Sequence, residues 1–527
     1  MALTLCEPAM GSAAFLNEAV NQISRAYLDL KQKETGEIIR HDDYPMELQK
    51  VKMYIADRNV HGVDLNPVAV ELAEVSLWLN TIHEGAFVPW FGMQLVCGNS
   101  LVGARRQVFH ESLLSARIHS PPPSGGRPGG GKESERLLPG KKKKPPSLWL
   151  DTVPERVMPG MKRDADTVYH FLLPDKDMAS YNDKVVKQMA GKEIKAIAEW
   201  RKEFIKPFSN SEIEHLKTLS AAVDKLWQSH TEMQHDIYRR TTDPLQVFGQ
   251  KESGDKLRPT TTEEKDRIFH QEMFSRNVRN SSPYRRLKLI MDYWCALWFW
   301  PIEKADLLPG RAEFLFDLTL ILEGNLYDTS VDEKGQQPLF PDTRPKQMSL
   351  SMLDNLGYVN VDKLCEENNR LGLVRELAER YRYLHWELEF AELFARRGGF
   401  DLVLGNPPWI KVEWNEGGVL GDVEPLFVLR KLSASSLAEK REETLNKHGL
   451  RPEYLTAFEE ADGTQNFLNA LQNYPILKGM QTNLYKCFLP VAWMIGKHYA
   501  GCPVFSIRKG FMMIPRGGDS ERNCIPG

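Results

Sequence analysis

The alternation of apolar and polar positions divides the chain into short strands and amphipathic helices. An apolar run at 2–6 predicts a strand, and apolar residues then recur every three or four positions, as in a helix. β-rich runs at 60–63 and 93–97 predict a second and a third strand, and 400–404 predicts a fourth. Strands that alternate with helices indicate an α/β fold with a parallel sheet.

A long region between the third and fourth predicted strands breaks this alternation. Residues 120–147 are rich in Pro, Gly and Lys, which predicts a flexible loop. Residues 184–301 and 366–397 show apolar residues at helical spacing, including an aromatic row that ends at Trp298. Such rows are typical of core packing, so we predict a helical insertion that packs on the sheet.

Composition excludes several classes of protein. Of the 527 residues 42% are hydrophobic and 26% are charged, as in soluble globular proteins. A net charge of −3 gives no overall attraction for nucleic acid, so any such contact must be local or made by a partner. The seven cysteines form no Cys-x-x-Cys pair, which argues against a metal site or disulfide framework. We find no signal peptide and no apolar run of about 20 residues. We therefore expect a cytoplasmic protein without membrane contact.

The fourth predicted strand ends in the run Gly405-Asn406-Pro407-Pro408-Trp409. The two prolines stop the strand, so Asn406 and Trp409 should lie at the carboxyl edge of the sheet, where open α/β sheets bind ligands. The Asn406 amide and the Pro407 carbonyl can hold an exocyclic amino group, and Trp409 offers a face on which a base can stack. The alternative is an ordinary Pro-Pro turn that closes a core strand, with Trp409 merely buried.

The first predicted strand leads into a turn of small residues, 7–14, and then into a helix. Small residues let a ligand approach the backbone, and a helix N-terminus favours a carboxylate. The turn lacks the Gly-x-Gly-x-x-Gly pattern, and no hydride-transfer residues are recognisable, which argues against a nicotinamide dehydrogenase. The alternative is a small-residue helix start without a ligand.

The second and third predicted strands also end in polar residues. Asp64 ends the second strand, before Asn66 caps the next helix and Pro67 begins it. An acid at this position can accept hydrogen bonds from both hydroxyls of a ribose. The alternative is that Asp64 serves as a second helix cap. The third strand is followed by Gly98-Asn99-Ser100, which by itself indicates only a turn.

Together and in this order, these segments resemble the motifs of large S-adenosylmethionine-dependent N6-adenine DNA methyltransferases. The closest resemblance is to the enzymes of restriction and phage-defence systems (the type IIG, BREX and DISARM kinds). Residues 7–16 are similar to motif I, although Ala13 replaces its second glycine; 60–67 and 406–409 are similar to motifs II and IV. A segment with His385, which we interpret as a structural histidine, and the start of a helix at 481–486 are also similar to the family.

The resemblance implies a Rossmann-like, doubly wound methyltransferase sheet with a long, mainly helical insertion between its third and fourth strands. It implies methyl transfer from S-adenosyl-L-methionine to the N6 of an adenine flipped out of double-stranded DNA. Other defence-system subunits are further expected partners. The implied catalytic residues are Asn406, Pro407, Pro408 and Trp409. The implied cofactor-binding residues are Glu7, Pro8, Ala9, Gly11, Ser12, Phe15, Asp64, Leu65, Asn99 and Ser100.

We predict five segments along the chain. They are a first methyltransferase half at 1–104, a loop or linker at 105–183, the helical insertion at 184–397, a second methyltransferase half at 398–499, and a non-native tail at 500–527.

The tail at 500–527 lacks the pattern that the family has after its motif V. We attribute this to a frameshift near 499–502, and we expect the family's N-terminal helical region to be missing. A truncated, inactive remnant that at most binds cofactor therefore remains an alternative. Methyltransferases of RNA or of protein glutamine share the Asn-Pro-Pro-aromatic run, but they are compact and lack the long insertion.

Overall fold

The computed structural model describes residues 3–115, 148–250, 260–274, 282–323, 360–429, 434–480, 482–497, 502–507 and 510–513. Its strands are β1 (Leu5–Glu7), β2 (Val60–Asp64), β3 (Leu95–Cys97), β4 (Gln107–His110), β5 (Glu155–Arg156), β6 (Thr167–Tyr169), β7 (Leu402–Gly405), β8 (Cys502–Ile507) and β9 (Gly510–Met513). Its α-helices before β7 are α1 (Ala14–Thr35), α2 (Tyr44–Asn59), α3 (Pro67–Thr81), α4 (Lys184–Met189), α5 (Gly191–Phe204), α6 (Asn210–Thr241), α7 (Thr262–Met273), α8 (Pro283–Ala296), α9 (Arg311–Glu323), α10 (Val361–Glu367), α11 (Asn369–Tyr381), α12 (Trp386–Glu389) and α13 (Ala391–Arg397). The α-helices after β7 are α14 (Glu416–Gly421), α15 (Leu426–Leu429), α16 (Ala434–His448), α17 (Arg451–Asn469) and α18 (Leu484–Ile495).

The main sheet has the strand order β3-β2-β1-β7-β8-β9. Its first five strands run parallel and β9 runs antiparallel to β8. Leu5 of β1 pairs with Val60 on one side and with Leu402 on the other, although about 400 residues separate it from the latter. The predicted α/β fold with a parallel sheet is thus confirmed, and the four predicted strands are present.

Alternate residues of the central strands enter two separate apolar cores. Leu5 and Leu404 pack with residues of α1, α2 and α3. Cys6 and Val403 belong to the larger core, which they share with the insertion helices. Both faces of the sheet are therefore covered, which explains why these strands are continuous apolar runs in the sequence.

The described parts of the insertion are helical where helices were predicted, and its apolar residues lie on several helices. Trp200 and Phe204 lie on α5, and the apolar residues from Leu216 to Trp227 lie on α6. Helix α6 starts anew after α5, with a capping box at its N-terminus. The Ser209 side chain accepts a hydrogen bond from the Glu212 N–H, and the Glu212 carboxylate accepts one from the Ser209 N–H. Trp298, further along, is fully buried.

The predicted linker at 105–183 contains more structure than expected. Strands β4, β5 and β6 form a small antiparallel sheet in the order β5-β4-β6, and Val108, Phe109, Val168 and Tyr169 are buried in its core. Strands of two to four residues are too short to show a recognisable alternation, which is why the sequence did not reveal them. The Pro-, Gly- and Lys-rich part of this segment, 120–147, lies outside the described residues.

Strands β8 and β9 lie in the segment that we predicted to be a non-native tail. All four residues of β7 pair with residues of β8, so β7 is an inner strand of the sheet. The frameshift itself stays a prediction. No helix among the described residues is long and apolar enough to span a membrane.

Candidate functional site

The predicted site residues lie at the carboxyl ends of four neighbouring parallel strands. Glu7 ends β1, Asp64 ends β2, Asn99 follows β3, and Asn406 follows β7. The chain runs from β1 to β2 and β3 on one side and returns on the other side of β1 as β7. The strand order therefore reverses between β1 and β7, and open α/β sheets bind their ligands at such a reversal.

Asp64 ties the turn after β1 to the end of β2. Its Oδ2 accepts a hydrogen bond from the Gly11 N–H at 2.9 Å, and its Oδ1 accepts one from the Asn66 N–H at 2.9 Å. A carboxylate has about four acceptor positions, so half of them remain for a ligand. Asp64 is partly exposed, so a ligand can reach it. Asn66 also caps α3 through its own side chain, as predicted.

The turn itself is built from two residues in left-handed conformation. Gly11 has φ of 53° and Ala13 has φ of 63°. Ala13 stands where the family motif has glycine, and a left-handed alanine costs about 1–2 kcal/mol. The turn keeps its shape without that glycine, because the Met10 N–H donates to the Val63 carbonyl and the Ala13 N–H to the Met10 carbonyl.

Glu7 is a buried carboxyl group between β1 and β7. Only 1% of its surface is exposed, and its Oε2 has no hydrogen-bond partner among the described residues. Burial raises the pKa of Glu7 to about 9, against a hydrogen bond from the Leu16 backbone and with a contribution from the nearby Asp64 charge. The backbone at Gly405 passes so close that an added Cβ would lie 3.4 Å from the Glu7 Cγ. Glu7 therefore has an unused acceptor atom at the ends of β1 and β7.

Replacing Glu7 by glutamine should stabilise the ligand-free protein above pH 5. In the unfolded chain Glu7 ionises near 4.5, whereas in the folded chain its pKa is about 9. The wild type therefore loses stability as the pH rises through this window, and the neutral amide does not. We expect Glu7→Gln to be more stable by about 4–5 kcal/mol at pH 8, because this pH lies about 3.5 units above the pKa of the unfolded chain. We also expect the two proteins to converge near pH 4.5.

Urea unfolding of both proteins at several pH values measures this difference. An advantage of the variant that stays constant with pH would show that Glu7 ionisation is not its cause. The exposed Glu37→Gln change serves as the control and should not alter the pH dependence.

The predicted residues after β3 have mainly internal partners. The Ser100 hydroxyl is buried and donates to the Pro8 carbonyl at 2.5 Å, which joins the end of β3 to the turn after β1. The Asn99 Oδ1 accepts from the Leu101 N–H at 3.1 Å, as in a turn. Their contact with a cofactor stays a prediction. Of the other predicted cofactor residues, Pro8 is buried, Ala9 and Phe15 are half-buried and pack on the cores, and Ser12 and Leu65 are exposed.

The Asn-Pro-Pro-Trp run leaves the sheet at the end of β7 with the side chains of Asn406 and Trp409, for which we predicted contacts with a base, at the surface. Asn406 is exposed, and Trp409 is 39% exposed, whereas Pro407 is buried and Pro408 is half-buried. The Trp409 Nε1–H points to the Asn406 Oδ1 at 3.4 Å, which is long for a hydrogen bond. The Asn406 acceptor is therefore only weakly occupied. The partial exposure of Trp409 contradicts the alternative in which this residue is merely buried.

Tyr485 lies in the helix start at 481–486 that resembles the family, but the sequence did not reveal its contact with Trp409. Its ring stacks on Trp409 with a centroid distance of 4.5 Å and an interplanar angle of 24°. The following loop holds this pair: the Leu484 N–H donates to the Ile410 carbonyl at 2.9 Å, and the Val412 N–H to the Thr482 carbonyl at 3.3 Å. Because these segments pair, the start of α18 fixes the loop after β7. One face of Trp409 is thus supported by the protein.

Three consecutive residues of the insertion, 385–387, form hydrogen bonds with the segment that follows β3. His385 is buried; its Nδ1 accepts from the Ala104 N–H at 3.0 Å, and its Nε2 contacts the Asp292 Oδ1 at 3.0 Å. The Trp386 Nε1–H donates to the Ser100 carbonyl, and the Glu387 Oε2 accepts from the Arg106 N–H. Burial lowers the pKa of His385, which favours the neutral ring. Its contacts support the interpretation of His385 as a structural histidine.

Comparison with known proteins agrees with this geometry. Residues 317–436, which include β7 and the Asn-Pro-Pro-Trp run, match the family model described as Eco57I restriction-modification methylase. A putative type II restriction enzyme and methyltransferase of Methanocaldococcus jannaschii is 32% identical over 110 residues, which are 19% of this chain and 9% of that protein. The chain thus aligns with only a small part of this much longer relative. No solved structure matches. The chain is therefore similar, over part of its length, to methyltransferases of restriction-modification systems.

Proposed function

We propose that this protein is a DNA methyltransferase that uses S-adenosylmethionine to methylate the N6 of adenine. The observation that carries the proposal is the position of Asn406 and Trp409 after β7, at the same edge of the sheet as Glu7 at the end of the neighbouring β1 and Asp64 at the end of β2. The match of this segment to restriction-modification methylases supports it. A role in restriction-modification or phage defence, with DNA and other defence subunits as partners, is part of the proposal.

The residues at β1 and β2 fit this cofactor. When bound, the cofactor supplies an electrophilic methyl group on a positively charged sulfur, next to a ribose and an amino acid. The free Oε2 of Glu7 and its burial suit a cationic group, because an opposite charge favours the ionised carboxylate. The two unused acceptor positions of Asp64 suit a pair of ribose hydroxyls.

The residues at β7 fit a flipped adenine. The Asn406 Oδ1 can accept a hydrogen bond from the amino group, because the 3.4 Å contact with Trp409 holds it only weakly. The Pro407 carbonyl can accept the second amino hydrogen. These two bonds turn the nitrogen lone pair away from the base ring and toward the cofactor side of the site. Trp409, supported on one face by Tyr485, offers its exposed part for stacking. Much of the catalysis then comes from holding the reactants in position.

A methylation assay tests the proposal directly. The purified chain is incubated with plasmid DNA and cofactor that carries a tritiated methyl group, and the DNA is then digested to nucleosides. We expect the tritium label in N6-methyldeoxyadenosine. Label in N4-methylcytosine would contradict the base assignment. Transfer to RNA or protein in place of DNA would contradict the substrate.

Replacing Asp64 by alanine should weaken cofactor binding about 100-fold or more. The change removes two hydrogen bonds to a charged acceptor, each worth about 1.5–3 kcal/mol, and it releases the Gly11 turn that Asp64 holds. Isothermal titration with S-adenosylmethionine measures the affinity. Asp64→Asn keeps one acceptor oxygen and should lose less, and the exposed Asp42→Ala is the matched control. Equal affinities of wild type and Asp64→Ala would place the cofactor elsewhere.

A further inference from the structure

Glu7 is a buried carboxyl group without a basic partner in the described part of the chain. Only 1% of its surface is exposed, and its Oε2 accepts no hydrogen bond there. Two ionisable groups act on it: the Asp64 carboxylate, which repels a second negative charge, and the adjacent Cys6 thiol, which burial keeps neutral by raising its pKa. Helix α1 and β7 face it with backbone, at Leu16 and Gly405. Because an unpaired buried charge is costly, the ligand-free protein keeps Glu7 protonated.

Glu7 adjoins the end of β7, from which the Asn-Pro-Pro-Trp run leaves the sheet. β1 pairs with β7, and a Cβ added at Gly405 would lie 3.4 Å from the Glu7 Cγ and 3.5 Å from its Oε1. Asn406 follows Gly405 directly, whereas Asp64 ends β2, on the far side of β1. In the proposed function the ribose of the cofactor binds at Asp64, and its methyl group must reach an amino group held by Asn406. The sulfur that carries this methyl group therefore belongs between these two positions, which is where β1 ends in Glu7.

We propose that Glu7 distinguishes S-adenosylmethionine from its demethylated product, S-adenosylhomocysteine, by releasing its proton to solvent when the positively charged sulfur binds and by keeping it when the sulfur is neutral. This inference rests on the proposed cofactor and adds how the same site selects it. The two ligands share the adenine, the ribose and the amino acid. They differ only in the methyl group and in the charge that it gives the sulfur.

The charge on the sulfur is large enough to move this proton. The pKa of Glu7 in the ligand-free protein is about 9, so its ionisation at pH 7 costs a factor of about 100 in affinity. An opposite charge within about 4–6 Å lowers the pKa of a carboxyl group by about 1–3 units. Glu7 with its pKa lowered by this amount ionises on binding and attracts the cofactor. The neutral product binds to the protonated form without this attraction.

Turnover returns the proton to Glu7. Methyl transfer breaks the bond between sulfur and methyl, forms one between nitrogen and methyl, and frees one proton from the amino group of the base. The sulfur keeps the electron pair and loses its charge, so Glu7 regains its higher pKa and takes up one proton. The one proton that the overall reaction releases thus leaves when the cofactor binds, and the product is held less tightly than the cofactor.

Isothermal titration of the full chain in buffers of different ionisation enthalpy counts the protons exchanged on binding. At pH 7.5 we expect close to one proton released per S-adenosylmethionine bound and about none per S-adenosylhomocysteine. Glu7→Gln should release no proton that depends on the charge of the sulfur. From pH 7 to pH 8 the affinity of the wild type for the cofactor, relative to that of Glu7→Gln, should rise about five- to tenfold, because only ionised Glu7 attracts it. The exposed Glu37→Gln change is the matched control and should behave as the wild type.

The two ligands separate this inference from the proposed function. Equal proton release with both would place Glu7 against the ammonium group that they share, and it would overturn the inference. Release that persists unchanged in Glu7→Gln, or cofactor binding without any release, also overturns it, while the proposed function stands. If a chain that circular dichroism shows to be folded binds neither ligand, the proposed function fails, and this inference fails with it.

Discussion

Asn406→Ala is expected to slow methyl transfer to DNA about 100- to 1,000-fold without weakening cofactor binding. Loss of a single positioned hydrogen-bonding group at a reacting centre typically costs this much in kcat. Asn406 has no role in the core, since it is exposed and its contact with Trp409 is long. The free energy of unfolding should therefore change little, and the loss should appear in the chemical step.

Single-turnover assays with saturating DNA and cofactor measure this effect, together with a titration of cofactor affinity. The exposed Asn182→Ala change, just before α4, is the matched control and should retain full activity. If the Asn406→Ala variant methylates DNA at the wild-type rate, Asn406 does not take part in methyl transfer. Weak cofactor binding by a folded Asn406→Ala protein would instead give this residue a role in the cofactor pocket.

Lys265→Met is expected to lower the free energy of unfolding by about 3–5 kcal/mol, the usual cost of removing one partner of a buried ion pair. The Lys265 Nζ lies 2.5 Å from the Asp243 Oδ2, and the two side chains are 1% and 2% exposed. Without the ammonium group, the Asp243 charge is buried without compensation. Asp57, close by, adds to the penalty: its burial and the Asp243 charge already raise its pKa to about 7.

The chain offers a matched control at the same distance. The Lys206 Nζ also lies 2.5 Å from a carboxylate oxygen, that of Glu203, but these side chains are 60% and 72% exposed. Solvent screens this pair, so Lys206→Met should leave stability within experimental error. Urea unfolding compares both variants. The double variant Lys265→Met/Asp243→Leu should recover much of the loss, and a loss equal to that of Lys265→Met alone would show that Lys265 contributes through packing.

The sequence predicted those features of the candidate site that depend only on adjacent residues. Asp64 ends a strand and Asn66 caps a helix because of local chemistry, and both are found where expected. The prolines after Asn406 stop β7 for an equally local reason. These signals are carried by a few adjacent residues, so a single sequence is enough to read them.

The features that the sequence did not reveal depend on distant contacts or weak local patterns. Tyr485 stacks on Trp409 from 76 positions away, and no local pattern marks that contact. Helix α2 has a weak apolar periodicity, and we did not predict it. His385 and Glu387 accept hydrogen bonds from backbone N–H groups. Because every residue type but proline has this group, the sequence carries no signal for these contacts.

The pairing of Leu5 with Leu402 has a consequence for how the protein is made. On the ribosome, β1 emerges long before β7, the strand that Asn406 follows. During that interval β1 lacks its neighbour on one side, while the insertion is synthesised. Closing so long a loop costs little more than closing a short one, because the entropy rises only with the logarithm of length. A nascent chain can therefore pair β1, β2 and β3 early, but Asn406 joins the ends of these strands only after β7 has been synthesised.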